Sequence, residues 1–351
     1  MSDNKFKSVL VTGAAGFAAE HLIPRLKKLN FEVIGLDRKS KPSSVCDRYI
    51  QCDLNDISKD FFSDFCPNIV IHMAASRADW GVSDEEFFRD NVLATRKLLE
   101  SLDSKKIETF IFISSISVMP QNSDEKIDET SSYGPINSYG ISKQKAEKLC
   151  LEFKNKNSNV KLITIRPTVL YGPSSPENTG LYRAIDNNIF RMIDGIASKR
   201  FAIVGNGKTI KSTAYIENFA EAIIFSFKQS SNRSLYIYSD RPASKIEYLV
   251  AIVRKAFGLK GFGLRIPFFI AYPLSYIFDG ISFLTKINFP INSSRIKTFT
   301  RSTNFYPSEF EKCGFEQSFS TNEAIEKTVN WYKDLKKDYD SKFFLIKDNS
   351  K

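Results

Sequence analysis

Histidine is scarce in this chain of 351 residues, and the cysteines show no paired spacing. The two histidines, His21 and His72, are too few for a histidine-rich metal site and argue against a histidine-based catalytic triad, so we predict no metal site. The five cysteines are odd in number, which indicates reduced thiols. Residues 1–5 are polar and we expect no secretory signal, so we predict a cytoplasmic protein.

Long uninterrupted apolar runs are also scarce. The main candidate is residues 266–284, where nineteen mostly apolar residues are interrupted by Pro267, Pro273, Asp279 and Gly280. These interruptions argue against a transmembrane segment, and we predict a buried helix pair instead. A contact with the periphery of a membrane is the alternative.

Acidic residues are outnumbered by basic ones, since 40 Asp and Glu stand against 50 Lys and Arg and give a net charge of +10. Such a charge suits nucleic acid or an anionic membrane. The chain has no basic stripe with interleaved aromatic residues, however, and we attribute the charge to a lysine-rich surface spread over many helices and to a site for an anionic pyrophosphate. No nucleic-acid partner is therefore expected.

Apolar runs alternate with amphipathic ones over residues 7–170, which is the pattern of βαβ units and predicts an α/β fold with a parallel sheet. The predicted strands are Ser8–Val11, Glu32–Leu36, Arg48–Gln51, Ile69–Met73, Thr109–Ile113 and Lys161–Ile165. The predicted helices between them include Asp84–Leu102 and Ile136–Phe153. After Pro173 the pattern loosens into helices at Leu181–Ile193, Ile216–Lys228 and Lys245–Phe257 and strands at Phe201–Val204 and Leu235–Ser239.

A glycine turn follows the first predicted strand. Residues 11–17 read Val-Thr-Gly-Ala-Ala-Gly-Phe, and a helical pattern begins where they end. A strand, a glycine turn and a helix N-terminus together bind a pyrophosphate, because free backbone N–H groups and the helix dipole favour anions. Gly13 and Gly16 therefore predict a dinucleotide site.

Tyr139 and Lys143 are four residues apart, so they share one face of the second predicted helix. A cation beside the phenol favours the phenolate, which makes the tyrosine a usable base near neutral pH. With the glycine turn, this pair predicts a dinucleotide-dependent enzyme that moves a proton to or from the hydroxyl of an alcohol or a sugar.

The segment Gly13-Ala14-Ala15-Gly16, then Ser115, then Tyr139 to Lys143 resembles the extended short-chain dehydrogenase/reductase superfamily, and within it the NAD-dependent nucleotide-sugar epimerase/dehydratase family. The resemblance covers roughly residues 7–335, with Ala19 where the family has a third glycine. It implies a Rossmann-type doubly wound parallel sheet and a smaller α+β C-terminal substrate lobe. The expected domains are an NAD-binding domain at residues 1–175, a substrate lobe at 176–340 interleaved with returning segments of the first domain, and a charged tail at 341–351.

The resemblance implies NAD as the cofactor. Asp37, about twenty residues beyond the glycine turn, is expected to accept hydrogen bonds from the adenosine ribose and to repel a 2′-phosphate, which favours NAD over NADP despite the neighbouring Arg38. Asp53 is expected at the adenine amino group, and His72 as a packed, hydrogen-bonded residue. The other expected cofactor-binding residues are Ala15, Phe17, Leu54, Met73, Ala74, Ala75, Asn91, Ser114 and Pro167, besides the two glycines, Tyr139 and Lys143.

The resemblance also implies the catalytic residues. Ser115 is expected to hydrogen-bond the reacting oxygen, Tyr139 to exchange its proton, and Lys143 to hold the nicotinamide ribose. Dehydratases of this family place an Asp-Glu pair directly after the serine, where this chain has Ile116 and Ser117, so water elimination is not expected. The expected substrate-binding residues are Ser115, Ser117, Tyr139, Asn178, Lys211 and Arg295, with Arg301 as a further candidate for the diphosphate.

These features predict an NAD-dependent 4-epimerase for a UDP-type hexose or N-acetylhexosamine, acting through a transient 4-keto sugar, and we expect a role in polysaccharide biosynthesis. A nucleotide-4-keto-sugar reductase and a 3β-hydroxysteroid or sterol dehydrogenase share the same residues and stay open as alternatives. A non-catalytic NAD(P)-sensing regulator on the same fold is a third.

A homodimer is expected as well. Relatives pair two helices with their copies in a four-helix bundle, which here would be the helices at 84–102 and 136–153. Their apolar residues exceed what one helix face needs for its own sheet, and a symmetric pairing would bury the surplus. The residues concerned are Phe87, Phe88, Val92, Leu98, Leu99, Leu149 and Leu151.

Overall fold

The computed structural model describes residues 7–77, 82–120, 123–175, 188–229, 234–261, 263–285 and 300–348, together with 293 and 296. Its helices are α1 Phe17–Lys28, α2 Asp84–Phe87, α3 Ala94–Ser101, α4 Ser138–Lys156, α5 Asn188–Ala197, α6 Ile216–Lys228, α7 Ile246–Ala256, α8 Phe268–Thr285, α9 Ser308–Lys312 and α10 Thr321–Asp348. A π-helical turn, Phe88–Leu93, joins α2 to α3, and a 3₁₀ turn spans Ile116–Val118.

The strands are β1 Ser8–Thr12, β2 Glu32–Asp37, β3 Arg48–Gln51, β4 Ile69–His72, β5 Thr109–Ile113, β6 Ser123–Ile127, β7 Lys161–Pro167, β8 Val169–Tyr171, β9 Ala202–Val204, β10 Ile210–Lys211, β11 Thr213–Tyr215, β12 Leu235–Tyr238, β13 Ser244–Lys245, β14 Leu264–Ile266 and β15 Thr303–Phe305. Within the described residues, seven of them form one sheet in the order β12-β7-β5-β4-β1-β2-β3, and all neighbours run parallel. The predicted α/β fold with a Rossmann-type parallel sheet is confirmed.

Helices cover both faces of this sheet. Side chains alternate between the faces along a strand, and Val9 of β1 packs in an apolar cluster with residues of α1 and α6. Leu10, its neighbour, packs in a second cluster with Leu98 of α3 and Ala146 of α4. This burial on both faces explains why the strands are nearly continuous apolar runs, and it packs α4 against one face of the sheet.

The remaining strands form smaller sheets, a four-stranded one in the order β13-β10-β15-β6 and the pairs β11–β8 and β14–β9. Strand β12 lies in the range predicted for the substrate lobe but pairs with β7 at the edge of the central sheet. Helix α10 runs to Asp348, so most of the predicted tail at 341–351 is helical. The division into domains stays a prediction.

The predicted helix at 84–102 is not continuous. It begins as expected, with a capping box between Ser83 and Glu86, but the π-helical turn interrupts it. The turn buries Asp90 and Asn91 with Val92, so the extra residue per turn rotates two polar side chains towards the protein interior. The predicted helix at 181–193 is α5, which begins at Asn188, and residues 176–187 lie outside the described part.

The prediction of a buried helix pair at 266–284 is wrong. From Phe268 onwards these residues form the single helix α8, which contains Pro273, while Ile266 ends β14. Among the side chains described in this helix, up to Ile281, a narrow stripe of Ala271 and Ser275 is buried, whereas Phe269 and Ile277 are 76% and 59% exposed. Small side chains allow that stripe to pack closely, and the bulky apolar residues consequently lie on the outer face. No helix in the described residues is long and apolar enough to cross a membrane.

Candidate active site

The glycine turn between β1 and α1 is closely packed. Gly13 has a φ of +73°, and a Cβ added there would lie 2.8 Å from the backbone nitrogen of Ala74. A Cβ on Gly16 would lie 2.9 Å from the carbonyl oxygen of Gly13. Gly16 is also the N-cap of α1 and has no side chain to accept the N–H groups of the first turn. The N–H groups in the first turn of α1, which begins at Phe17, can therefore donate hydrogen bonds to a bound anion.

The end of β2 meets this turn. One carboxylate oxygen of Asp37 accepts from the backbone N–H of Ala15 at 3.1 Å, and the other accepts from that of Lys39 at 3.0 Å. These two hydrogen bonds hold the glycine turn and the Asp37 carboxylate next to each other. A dinucleotide requires this, because its adenosine ribose is bonded directly to its pyrophosphate.

Arg38, the residue after Asp37, is paired with two other carboxylates. Its Nη1 donates to Asp90 at 3.1 Å and lies 4.0 Å from Asp53. Burial acts to raise the pKa of Asp90, but hydrogen bonds from Arg89 and Ser76 and the charge of Arg38 hold it below its usual value. Asp90 is therefore an anion that competes for the guanidinium.

Asp53 and Leu54 follow β3, where the adenine is expected. Asp53 accepts from the backbone N–H of Asn55 at 2.9 Å and from its amide at 3.0 Å, while Leu54 is buried. These bonds fix the carboxylate at the end of the strand.

His72 is a packed residue, at the end of β4. Thr95 donates its hydroxyl to the carbonyl of Asn91 at 2.7 Å, so it accepts from His72 Nε2 at 2.9 Å, and Nδ1 then accepts from the hydroxyl of Thr12 at 2.7 Å. Burial, with a smaller effect of the Lys143 charge, lowers the pKa of His72 to about 3. The ring is neutral and ties β1, β4 and the start of α3 together under the strand ends.

The residues after His72 form the floor of the glycine turn. Met73 donates its N–H to Thr12 at 3.3 Å, and Ala74 donates to the Thr12 hydroxyl at 3.2 Å. Ala75 is exposed beyond them. Small residues here let the backbone after β4 approach Gly13. The expected contact of these residues with the cofactor stays a prediction.

Asn91 is more occupied than its expected role at the cofactor suggests. Its side-chain Oδ1 accepts from the N–H of Ser76 at 2.8 Å, and its Nδ2 donates to the backbone carbonyl of Ser76 at 3.1 Å and to the Ser142 hydroxyl at 2.9 Å. The Ser142 hydroxyl donates in turn to the carbonyl of Tyr139 at 2.8 Å. Asn91 thus connects the π-helical turn to the first turn of α4.

The first turn of α4 packs closely against residues 115–117, which follow β5. Asn137 caps the helix by accepting from the N–H of Gly140 at 2.8 Å, and a Cβ on Gly140 would overlap the carbonyl oxygen of Ser117. Ser115 and Ser117 hydrogen-bond each other through their hydroxyls at 3.1 Å. This close approach carries Tyr139, whose ring packs 5.7 Å from that of Phe87, to the end of β5.

Lys143 lies one turn further along α4 and is buried. Its Nζ donates to the carbonyl of Ile113 at 2.7 Å and lies 4.2 Å from the centre of the Phe112 ring. Burial lowers the pKa of Lys143 to about 8, and the nearby Glu147 carboxylate acts in the opposite direction. The ammonium is held at the end of β5, on the same helix face as Tyr139.

A buried ion pair behind this face escaped the sequence reasoning. Arg166 of β7 donates from Nε and Nη2 to the two carboxylate oxygens of Glu147 at 3.0 and 2.7 Å. The Tyr133 hydroxyl donates to the same carboxylate at 2.7 Å. The available signal was an acid four residues beyond Lys143, on the inward face of α4.

The expected substrate-binding residues are only partly described. Lys211 in β10 donates to the backbone carbonyl of Arg301, and burial lowers the pKa of Lys211 to about 8. The structure therefore brings together Lys211 and Arg301, the two described residues that were predicted to bind the diphosphate. Asn178 and Arg295 lie outside the described residues.

The arrangement fits a bound dinucleotide. The glycine cradle has no room for side chains but leaves N–H groups at a helix N-terminus, and Asp37 lies beside it. At the other end, the Ser114 hydroxyl is buried after β5 with no hydrogen-bond partner among the described residues, and Pro167 closes β7 nearby. A buried orphan hydroxyl between a cradle and a Tyr–Lys pair suits a ligand that spans both.

Comparison with known proteins identifies the family. The model of the NAD dependent epimerase/dehydratase family matches residues 9–237. The chain belongs to this family. The predicted NAD cofactor and the enzyme class are thereby confirmed, against the alternative of a non-catalytic regulator. The roles of individual residues stay predictions.

The chain is similar to known epimerases, in part of its length or nearly all of it. The N-acetyl-α-D-glucosaminyl-diphospho-ditrans,octacis-undecaprenol 4-epimerase of Escherichia coli O157:H7 is 28% identical over 94% of this chain and 96% of its own length. An uncharacterized UDP-glucose epimerase of Bacillus subtilis is 28% identical over 61% of this chain and 71% of its own. The structure of a UDP-glucuronic acid 4-epimerase from Bacillus cereus with NAD superposes with a TM-score of 0.70 at 19% identity, covering 93% of this chain and 99% of that one.

Proposed function

We propose that this protein is an NAD-dependent 4-epimerase that acts on a UDP-type hexose or N-acetylhexosamine. The observation that carries the proposal is the placement of Ser115, Tyr139 and Lys143 at the end of β5, beyond the dinucleotide cradle, with Ile116 and Ser117 where a dehydratase has its acids. Tyr139 can therefore exchange a proton with a sugar hydroxyl, but neither Ile116 nor Ser117 can act as the acid that protonates a leaving hydroxyl at carbon 6.

In this reaction Tyr139 takes the proton of the sugar 4-hydroxyl, while Ser115 hydrogen-bonds the same oxygen. NAD, when bound, supplies a reversible hydride acceptor for carbon 4. The buried ammonium of Lys143 stabilises negative charge on Tyr139 and holds the nicotinamide ribose. Tyr139 would return the proton to the 4-oxygen once the 4-keto sugar has presented its other face, so that the product would differ only in configuration at carbon 4.

The comparisons support 4-epimerisation as the reaction, since the names of a full-length relative and of a structural neighbour both specify a 4-epimerase. A second candidate differs in the carrier of the sugar. The Escherichia coli relative is named for a polyprenyl-diphosphate carrier, and α8 of this chain exposes a wide apolar face that a water-soluble nucleotide sugar does not require. A sugar linked to a lipid diphosphate is therefore the alternative substrate.

The deciding experiment incubates the purified protein with UDP-, GDP- and dTDP-sugars, a polyprenyl-diphosphate N-acetylhexosamine in detergent, and a 3β-hydroxysteroid, and analyses the products by NMR. Epimerisation is expected to interconvert the two configurations at carbon 4 with no net change in NAD. The variant Tyr139→Phe is the inactive control.

Each other outcome selects an alternative. Stoichiometric use of reduced cofactor on a 4-keto sugar would identify the reductase, and accumulation of reduced NAD with the steroid would identify the dehydrogenase. Turnover of the lipid-linked sugar alone would replace the nucleotide carrier. A homodimer, a cytoplasmic location and a role in polysaccharide biosynthesis are part of the proposal.

A further inference from the structure

The outer face of α8 is the largest group of exposed apolar side chains in the described residues. It consists of Phe268, Phe269, Ile270, Leu274, Tyr276, Ile277 and Ile281, each more than a third exposed. Leu264, in the strand that leads into the helix, is 65% exposed. Monomeric proteins seldom expose a continuous apolar face of this kind unless it binds something.

The positive charge of the chain is concentrated in the sequence segment that contains α8. Residues 254–308 contain eight Lys and Arg and one acid, Asp279, so that this segment carries +7 of the net +10. The net charge is therefore uneven along the sequence, whereas we had expected it to be spread over many helices. Arg254, Lys255, Lys260 and Arg265 come just before α8.

Part of this charge borders the apolar surface directly. Arg254 and Lys260 line a cavity of about 480 Å³ together with Lys199 and the apolar Leu264. Lys255 and Lys260 are exposed. Cationic side chains are thus placed beside the apolar face, where they can bind anions at its border.

Aromatic rings on α8 suit a boundary between water and hydrocarbon. Phe268 stacks on Tyr272 with 5.1 Å between ring centres, and the Tyr272 and Tyr276 hydroxyls hydrogen-bond at 2.7 Å. Rings with an apolar body and a polar tip concentrate at the interface of a bilayer. Proline and an acid within the helix disfavour insertion across the membrane, so the helix would lie in the plane of the interface.

We infer that the face formed by Leu264 and α8 binds the surface of an anionic lipid bilayer. Charge selects this occupant over a second copy of the chain, because a symmetric contact through this face would bring Arg254, Lys255 and Lys260 of both copies together, whereas acidic lipid headgroups neutralise them. The inference does not depend on the proposed reaction, since it concerns where the protein binds and not what it converts.

The test is cosedimentation of the full chain with vesicles of phosphatidylcholine that contain about one third phosphatidylglycerol, compared with vesicles of phosphatidylcholine alone. The protein is expected to bind the anionic vesicles about tenfold more strongly and to lose this advantage in high salt. Equal binding to both kinds of vesicle, or to neither, would overturn the inference.

Variants separate the contributions of the helix. Phe269→Ser combined with Ile277→Ser is expected to lower vesicle binding about tenfold, whereas Val45→Ser, at a residue that is 82% exposed away from this helix, leaves it unchanged. Lys260→Glu should weaken binding to the anionic vesicles, and Lys28→Glu at the end of α1 serves as its control.

Epimerase activity on a soluble nucleotide sugar without vesicles is measured on the same variants and should not change, so failure of either proposal is recognised separately. If the double serine variant instead converts a wild-type dimer to a monomer, α8 is an interface between copies and the bilayer proposal is wrong.

Discussion

At the scale of single residues, Tyr139 is the group on which the proposed chemistry depends. Replacing it with phenylalanine retains the ring beside Phe87 and removes only the hydroxyl. We expect Tyr139→Phe to lower turnover by about two to four powers of ten, the usual contribution of a positioned acid–base group. Thermal stability and NAD affinity, measured by titration, should be near those of the unmodified protein. Retention of more than about a tenth of the turnover, with chemistry rate-limiting, would exclude Tyr139 as the base.

Asp37 is expected to set the preference for NAD. The variant Asp37→Ala removes both the acceptor for the ribose hydroxyls and the repulsion of a 2′-phosphate, so NAD should bind about tenfold more weakly and its advantage over NADP should narrow. Asp56→Ala, at a nearby exposed acid, is the control. Binding is measured by titration with both cofactors. Tighter binding of NADP to the unmodified protein would show that Arg38 sets the preference instead.

At the scale of elements, the Glu147–Arg166 pair attaches α4 to β7 behind the site. Both side chains are almost fully buried, so removing one partner leaves the other charge without compensation. Glu147→Gln is expected to lower the free energy of unfolding by about 3–5 kcal/mol, measured in urea. Glu152→Gln, on the exposed side of the same helix, should change it by less than about 0.5 kcal/mol. A difference between the variants below about 1 kcal/mol would mean that the pair does not hold the helix.

The His72 network couples stability to pH. The pKa of His72 is lowered to about 3 in the fold, so below its ordinary value of about 6.5 the unfolded chain takes up a proton that the folded chain refuses. Stability is therefore lost as pH falls, and between pH 7.5 and pH 5.5 this one residue should account for about 1.4 kcal/mol. In His72→Gln, the difference in the free energy of unfolding between the two pH values, measured by denaturant titration, should be smaller by about 1.4 kcal/mol. An unchanged difference would place the acid sensitivity elsewhere.

Much of this could be predicted from the sequence, because strands buried on both faces leave a continuous apolar pattern and because a glycine turn and a Tyr–Lys spacing are local. The contacts that depend on distant partners could not. Asp90 accepts a hydrogen bond from Arg38, which lies 52 residues away in the sequence. Glu147 likewise pairs with Arg166 of β7, and no local pattern shows this partner. The face of α8 was misjudged because composition records that a segment is apolar but not whether anything covers it.

At the scale of the whole molecule, the predicted homodimer has lost part of its support. Four of the seven residues held to be in surplus, Phe87, Val92, Leu98 and Leu99, are buried within the protomer. Phe88 and Leu151 are exposed, at 40% and 53%. They leave a smaller patch on the predicted interface, which includes α4.

We still expect sedimentation at about micromolar concentration to give twice the chain mass. Leu151→Glu should shift the protein towards the monomer by placing like charges across the two-fold axis, whereas Val45→Glu should not. A fully active protein that is strictly monomeric would show that the remaining patch is too small to hold two copies together.

The pairing of Arg38 with Asp90 has an evolutionary consequence. A change of cofactor from NAD to NADP needs a cation free to receive the 2′-phosphate, and the cation adjacent to that position is already bound to a carboxylate on the π-helical turn. Loss of Asp37 alone leaves Arg38 engaged, and loss of Asp90 alone leaves the repulsion in place. If Asp37 sets the preference as predicted, the effects of the two substitutions are not additive, and a full change of cofactor needs both.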